Sequence, residues 1–375
     1  MVTFFVQNAL LSSCLVTLIL AHSLVFIQPQ LSLHPSHPPH NDNMPIKTWL
    51  TETLGIRVPL VQGGMMWVGK AEMISAVANA GALGFLTALT QPTPEALRQE
   101  IRRTKSMLKP NAVQFGVNIT LLPSMNAPDY PAYARVVVEE GIKIVETAGD
   151  PTPVLKYLKD NGVTVFHKCV TLKHALRAEK LGVDCISIDG IECAGHGGEY
   201  DTTSLMLLSL CKEQLKIPYL ASGGFANGRQ VAAALALGAV GVNMGTRWMC
   251  TVESPIHHNV KKAIVKATEN DTVLVLRKFR NTTRLHKNKV SVEVRKIENE
   301  KKDVEFKDVA HLMSGKRGQG VYETGDVDAG VWSLGMCAGL IHDIPTCEEL
   351  AKTMERDAIE TLTQSNALVV KSAKL

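Results

Sequence analysis

Aromatic residues are scarce, at 5% of the 375 positions, and charge of one sign is scarcer still: 40 basic against 36 acidic residues leave a net charge of +4. A dedicated nucleic-acid binder would be far more basic, and a disordered chain would not be 45% hydrophobic. Paired cysteines are also missing. Cys14, Cys169, Cys185, Cys193, Cys211, Cys250, Cys337 and Cys347 stand singly, with no CxxC and no Cys/His group at zinc-ligand spacing. We therefore expect no metal and no disulfide framework, but buried free thiols in a reducing, cytoplasmic setting. Absent too is a GxGxxG turn after the first apolar run, where QGGMMWVG (62–69) stands instead. That counts against an open, doubly wound dinucleotide-binding sheet. What is abundant is glycine, at 28 residues, and alanine, the usage of an α/β enzyme with many tight turns.

Residues 4–27 carry no formal charge and are long enough to span a bilayer, but Met1–Phe5 lacks the basic residues that would orient such a segment. The Pro/His stretch 34–40 reads as a linker. We expect residues 1–43 to be a leader outside the enzyme, which starts at Met44. The alternative is a membrane anchor through 4–27, and membrane contact is expected only if that segment is translated and retained.

From Val58 the chain repeats one unit, a short apolar run, a Gly/Asn/Ser-rich turn and an Ala/Leu-rich helical stretch. The runs are 58–62, 82–86, 115–119, 142–147, 163–168, 184–189, 217–222 and 240–245. Helix-length segments lie between them at 70–80, 94–107, 129–140, 151–160, 171–181, 203–215 and 227–237. Strand–helix alternation with short turns argues a parallel sheet, and eight almost fully apolar strands fit a (β/α)8 TIM barrel. The expected organisation is a barrel over 44–254 and a C-terminal helical extension over 255–375, packed beside the barrel mouth. Within that extension, 261–290 holds nine Lys/Arg against two acids. We read it as a solvated helical face. A nucleic-acid patch and attraction of a phosphorylated nucleotide such as NAD(P)H to the mouth are the other readings.

A barrel of this kind works at the C-terminal ends of its strands and often binds phosphate after the seventh and eighth. There the sequence offers Ser222, Gly223 and Gly224, then Gly245 and Thr246, small residues whose N–H groups are open to an anion. The turn Gly64-Met65-Met66 combines backbone freedom with polarizable side chains that suit a flat cofactor ring. Asn118 and Thr120 close the third strand. Lys168 ends the fifth, where an inward-facing ammonium is costly unless it meets negative charge. After the sixth comes DGIECAGHGGE (189–199), in which His196 stands among small residues. An imidazole with an ordinary pKa near neutrality suits proton abstraction from a weak carbon acid. Cys193 has no base spaced to activate it, while Asp189, Glu192 and Glu199 can orient the loop.

PLVQGGMMWVG (59–69), FGVNITLLPS (115–124), VETAG (145–149), HKC (167–169), SIDGIECAGHGGE (187–199), ASGGFANGR (221–229) and NMGTRW (243–248), in this order, resemble the nitronate monooxygenase family, formerly 2-nitropropane dioxygenases. The resemblance runs from about Thr48 to Leu350. It implies an FMN-dependent TIM-barrel flavoprotein, an oxidoreductase turning alkyl nitronates and dioxygen into a carbonyl compound and nitrite. It implies FMN contacts at Gly64, Met65, Met66, Thr120, Lys168, Ala194 and Gly195, with the phosphate at Ser222–Gly224 and Gly245–Thr246. His196 stands at the family's catalytic base and would take the α-proton of a neutral nitroalkane. The sequence is also similar to bacterial NADH:quinone reductases, which use the same cofactor and implicate NAD(P)H and a quinone. FMN-dependent enoyl reductases are a more distant likeness. The loop reads GHGGE where the family pattern is GHPGE, which bears on substrate preference. A monomer or homodimer is expected.

Overall fold

The computed structural model describes residues 46–121 and 127–370, which belong to one compact unit. The leader expected at 1–43, with Cys14 and the segment 4–27, lies outside the described residues. Among the described residues no helix is long and apolar enough to cross a membrane.

The strands, in chain order, are β1 (Leu60–Gln62), β2 (Leu83–Thr87), β3 (Gly116–Leu121), β4 (Ile144–Gly149), β5 (Thr164–Cys169), β6 (Cys185–Asp189), β7 (Gly195–His196), β8 (Tyr219–Ser222), β9 (Val242–Met244), β10 (Thr272–Val275) and β11 (Thr283–His286). Eight of them, β1 to β6 with β8 and β9, close into a parallel barrel, sealed where Leu60, Val61 and Gln62 pair with Val242, Asn243 and Met244. The fold is the (β/α)8 barrel expected from the eight apolar runs.

Alternation along each strand decides what faces where. Leu60, Leu86, Val117, Ile119, Val145, Val165, Ile186, Ile188, Ala221 and Val242 point outward into one core shared with the surrounding helices. Val61, Leu83, Phe85, Ile144, Phe166 and Leu220 point inward and meet Leu50 and Leu54 of the helix Trp49–Leu54, which plugs the lower end. Five of the ring helices begin on side-chain caps. Thr93, Asp129, Thr171, Asn227 and Thr346 each accept from a backbone N–H of the first turn.

The eighth ring helix is Cys347–Ala367. It packs against Gly228–Ala236 and Ala71–Asn79, and its Cys347, Leu350, Ala351, Met354 and Ala358 join the barrel's own core. The ring therefore draws on both sides of residue 254. Residues 250–346 are inserted between the eighth barrel strand and the eighth helix, and they roof the mouth. The insertion is not wholly helical. Beside the helices His258–Lys266, Lys289–Glu300 and Gly315–Thr324 it carries β10 and β11, paired antiparallel and extended by β7 into a three-stranded sheet.

The solvated helical face expected at 261–290 is thus corrected. Only its two ends, 261–266 and 289–290, are α-helical, and two of its cations are buried: Lys261, donating to the carbonyls of Val252 and Ser254, and Arg284, donating to that of Ile191. Backbone carbonyls satisfy these charges in place of water.

Candidate active site

Above the apolar inward layer the barrel interior turns polar. Asn118, Glu146, Ser187 and Asn243 are buried there, one alternation step above Gly116, Ile144, Cys185 and Gly241 in their own strand segments. Glu146 is wholly enclosed, and a buried carboxylate needs donors. It has three. Oε2 accepts from the Gly64 N–H at 2.8 Å and from Asn118 Nδ2 at 2.8 Å, and Oε1 from Asn243 Nδ2 at 2.8 Å. Thr120 Oγ1 donates to Asn118 Oδ1 at 3.0 Å, and Asn243 Nδ2 also reaches Ser187 Oγ at 3.0 Å.

This floor explains the glycines of the first turn. A Cβ on Gly64 would lie 2.1 Å from Asn118 Cγ, and one on Gly63 would lie 2.5 Å from Asn243 Oδ1. Gly64→Ala should therefore displace the turn. The expected result is at least a tenfold weakening of cofactor binding, read as lost visible absorbance in the purified protein.

Lys168 leaves β5 toward the mouth and meets Asp189 at the end of β6, Nζ to Oδ2 3.1 Å, with their side chains 24% and 9% exposed. Burial opposes its charge, but the carboxylates of Asp189 and Glu146 outweigh burial and hold the ammonium above its ordinary pKa. The negative charge that the sequence demanded for Lys168 is thus supplied within the protein. His167 beside it is buried, bonded through Nδ1 to Thr147 Oγ1 at 2.8 Å, and burial pushes its pKa down to about 4. It stays neutral.

After β8, Gly223 and Gly224 both take positive φ, 82° and 88°. A Cβ would meet Gly190 O at 2.8 Å in the first case and Glu192 Cβ at 2.8 Å in the second. Among the described residues the N–H groups of Gly223, Gly224 and Gly245 find no acceptor. Orphaned donors grouped at the ends of two neighbouring strands fit an anion such as a phosphate. Thr246 Oγ1 accepts from the Gly335 N–H at 3.0 Å, which ties this cradle to the roof.

His196 forms β7 with Gly195 and pairs with Thr283, while Gly195 pairs with Arg284. The roof clamps this loop at several points. Glu199 accepts from the Thr282 N–H and hydroxyl at 3.0 and 2.6 Å, Arg284 holds the Ile191 carbonyl, and the Met336 N–H holds that of Glu192. Glu192 in turn accepts from the Ser204 N–H at 3.0 Å. The His196 imidazole opens to the mouth and makes no hydrogen bond among the described residues. Partial desolvation by the surrounding protein holds its pKa below the ordinary histidine value. Cys193 is buried and its thiol is pushed well up by burial, so it is no thiolate nucleophile.

One cavity of about 1700 Å³ lies at the C-terminal ends of the barrel strands. The cavity brings together Gly64, Met65, Met66, Thr120, Lys168, Ala194, Gly195, His196, Ser222, Gly223, Gly224, Gly245 and Thr246. The described cysteines are free and buried, and no metal-binding cluster occurs among the described residues.

The sequence profile described as nitronate monooxygenase matches residues 47–357. The chain belongs to the nitronate monooxygenase family. It is an enzyme of that flavin oxidoreductase kind. Among curated relatives of this family member, a (3aS,4S,5R,7aS)-5-hydroxy-7a-methyl-1-oxo-octahydro-1H-indene-4-carboxyl-CoA dehydrogenase of Mycobacterium tuberculosis is 32% identical over 87% of the chain and 100% of its own length. A probable nitronate monooxygenase of Staphylococcus haemolyticus is 29% identical, over 60% of the chain and 74% of its own length. The solved structure of FabK from Thermotoga maritima superimposes with a TM-score of 0.78 at 30% identity, covering 86% of this chain and 100% of that one.

The family resemblance did not carry Glu146 or Asn243 into the site, nor the roof residues Thr282 and Arg284. Glu146 left a signal in the sequence, a carboxylate inside the apolar run 142–147. The roof residues left none, because their partners lie about eighty to ninety positions away.

Proposed function

We propose that the cavity binds FMN and that the enzyme oxidises alkyl nitronates, and the nitroalkanes that give rise to them, with dioxygen as the final electron acceptor. Ser222, Gly223, Gly224, Gly245 and Thr246 would hold the phosphate, and Gly64, Met65, Met66, Thr120, Lys168, Ala194 and Gly195 the ring. When bound, the flavin supplies an electron carrier between substrate and dioxygen. The observation that carries the reading is the His196 imidazole, unbonded, open to the cavity and depressed in pKa. Neutral at pH 7, one of its ring nitrogens takes the α-proton of a nitroalkane. The resulting imidazolium then sits beside the nitronate charge. Lys168, fixed by Asp189, places a second positive charge at the barrel mouth.

A second reading, redox exchange with a larger partner such as NAD(P)H and a quinone or a CoA thioester, is favoured by cavity volume. At about 1700 Å³ the space exceeds the roughly 300–1,000 Å³ usual for one small-molecule site. Anaerobic rapid mixing with 2-nitropropane anion and, separately, with NADH separates the two. We expect the nitronate to bleach the flavin absorbance and NADH to leave it unchanged. Bleaching by NADH alone would replace the first reading with the second.

A further inference from the structure

Two roof hydroxyls stand beside the His196 loop. β11 pairs through one edge with β10 and through the other with β7, where Thr283 faces His196 and Arg284 faces Gly195. β7 reaches no further, and the next place along that edge, opposite Leu285, is taken by Ser333. Paired residues share a face of a sheet and successive ones alternate. His196, Leu285 and Ser333 therefore present their side chains on one face and Arg284 on the other. The cavity follows this division, since those three line it and Arg284 does not. Ser333 stands two strand steps from His196, about 7 Å along the edge. A Cβ on the intervening Gly195 would lie 3.8 Å from Ser333 Oγ.

Tyr322 comes to the same place from the helix Gly315–Thr324. Its hydroxyl accepts from the Ser333 N–H, and its ring packs against the apolar cluster that holds Met249, Trp332 and Leu334. It lines the cavity as well. Burial pushes its pKa up to about 12, so near neutrality the phenol keeps its proton. Neither the Tyr322 O–H nor the Ser333 O–H donates to any group among the described residues. Two adjoining donors without acceptors, beside an unbonded base, are equipped for one planar group with two oxygens.

We propose that Ser333 and Tyr322 form a cradle for the substrate's nitro group, each hydroxyl donating to one of its oxygens while the α-carbon faces His196. As an imidazole nitrogen takes the α-proton, the C–H electron pair becomes the C=N bond and an N=O pair moves onto oxygen. Charge thus develops where the two hydroxyls already donate, which stabilises the nitronate as it forms. The inference rests on the nitronate reading and deepens it, by naming the groups that recognise the nitro function. The cradle is supplied wholly by the inserted roof, at positions 322 and 333.

The test combines a binding probe with kinetics on the flavin-loaded full chain. Isobutyrate has the carbon skeleton of 2-nitropropane and a planar two-oxygen anion, and its binding is read from the shift in flavin absorbance. Ser333→Ala and Tyr322→Phe should each weaken isobutyrate about tenfold, and Ser333→Thr should recover most of the loss. With neutral 2-nitropropane the same variants should lose kcat, because the charge appears only as the proton leaves. With the preformed anion they should instead raise KM, because the charge is present from the start. A parent that binds no isobutyrate, or a Ser333→Ala, Tyr322→Phe double variant that binds it and turns over both substrates like the parent, would overturn the proposal. So would lost flavin or a lowered Tm in place of these shifts, since the hydroxyls would then be structural. The nitronate reading fails separately: a parent that binds isobutyrate through both hydroxyls yet turns over no nitronate keeps the cradle and loses the reaction.

Discussion

His196→Asn is expected to lower turnover of neutral nitroalkanes by about 10²–10⁴-fold while flavin stays bound and preformed nitronates still react. The asymmetry follows from the site. The imidazole makes no hydrogen bond or ion pair with any other described side chain, so its loss disturbs no structural bond. The pH profile supplies an independent check. Desolvation lowers the His196 pKa, so the neutral base persists below pH 6.5, and activity on the neutral nitroalkane falls only as pH drops through that depressed value. In the variant this acid limb should vanish. Equal losses with nitroalkane and preformed nitronate would remove His196 from the proton-transfer role.

Glu146→Gln should be nearly as damaging, though to stability rather than to chemistry. Three donors from three different segments converge on its oxygens inside the barrel. An amide must turn an NH2 toward at least one of them, leaving a buried donor facing a donor. It also removes one of the two carboxylates that sustain the Lys168 charge. The expected cost is about 3 kcal/mol, or a fall in Tm of about 6–12 °C in a thermal melt, together with reduced flavin content. An unchanged melt and full flavin would mean that the carboxylate does not hold the floor of the site.

Much of the barrel was legible in the sequence because its signals are local. The apolar runs sit within two or three residues of the strands, and the helix starts follow Thr, Asp and Asn caps that act within one turn. Glycine pairs at strand ends marked the cradle for the same reason, since positive φ at Gly223 and Gly224 is a property of those residues. The roof was not legible. β11 is held on one side by β10 and on the other by a two-residue strand inside a glycine-rich loop almost ninety positions earlier, and no periodicity within 261–290 encodes that second partner. Lys261 and Arg284 read as solvated charges because carbonyl partners leave no mark in a sequence. Glu146 was visible as an anomaly, but its meaning came only with Asn118 and Asn243.

The order of the last two pieces of the ring has an evolutionary consequence. Since Cys347–Ala367 completes the wall only after residues 250–346 have been laid over the mouth, the inserted segment is anchored by the barrel at both feet. It can lengthen, shorten or be exchanged by grafting without opening the wall beneath it, and the substrate side of the cavity can diverge while the cradle stays fixed. The same arrangement makes a premature stop within the insertion doubly harmful, because it deletes the closing stave of the barrel along with the roof.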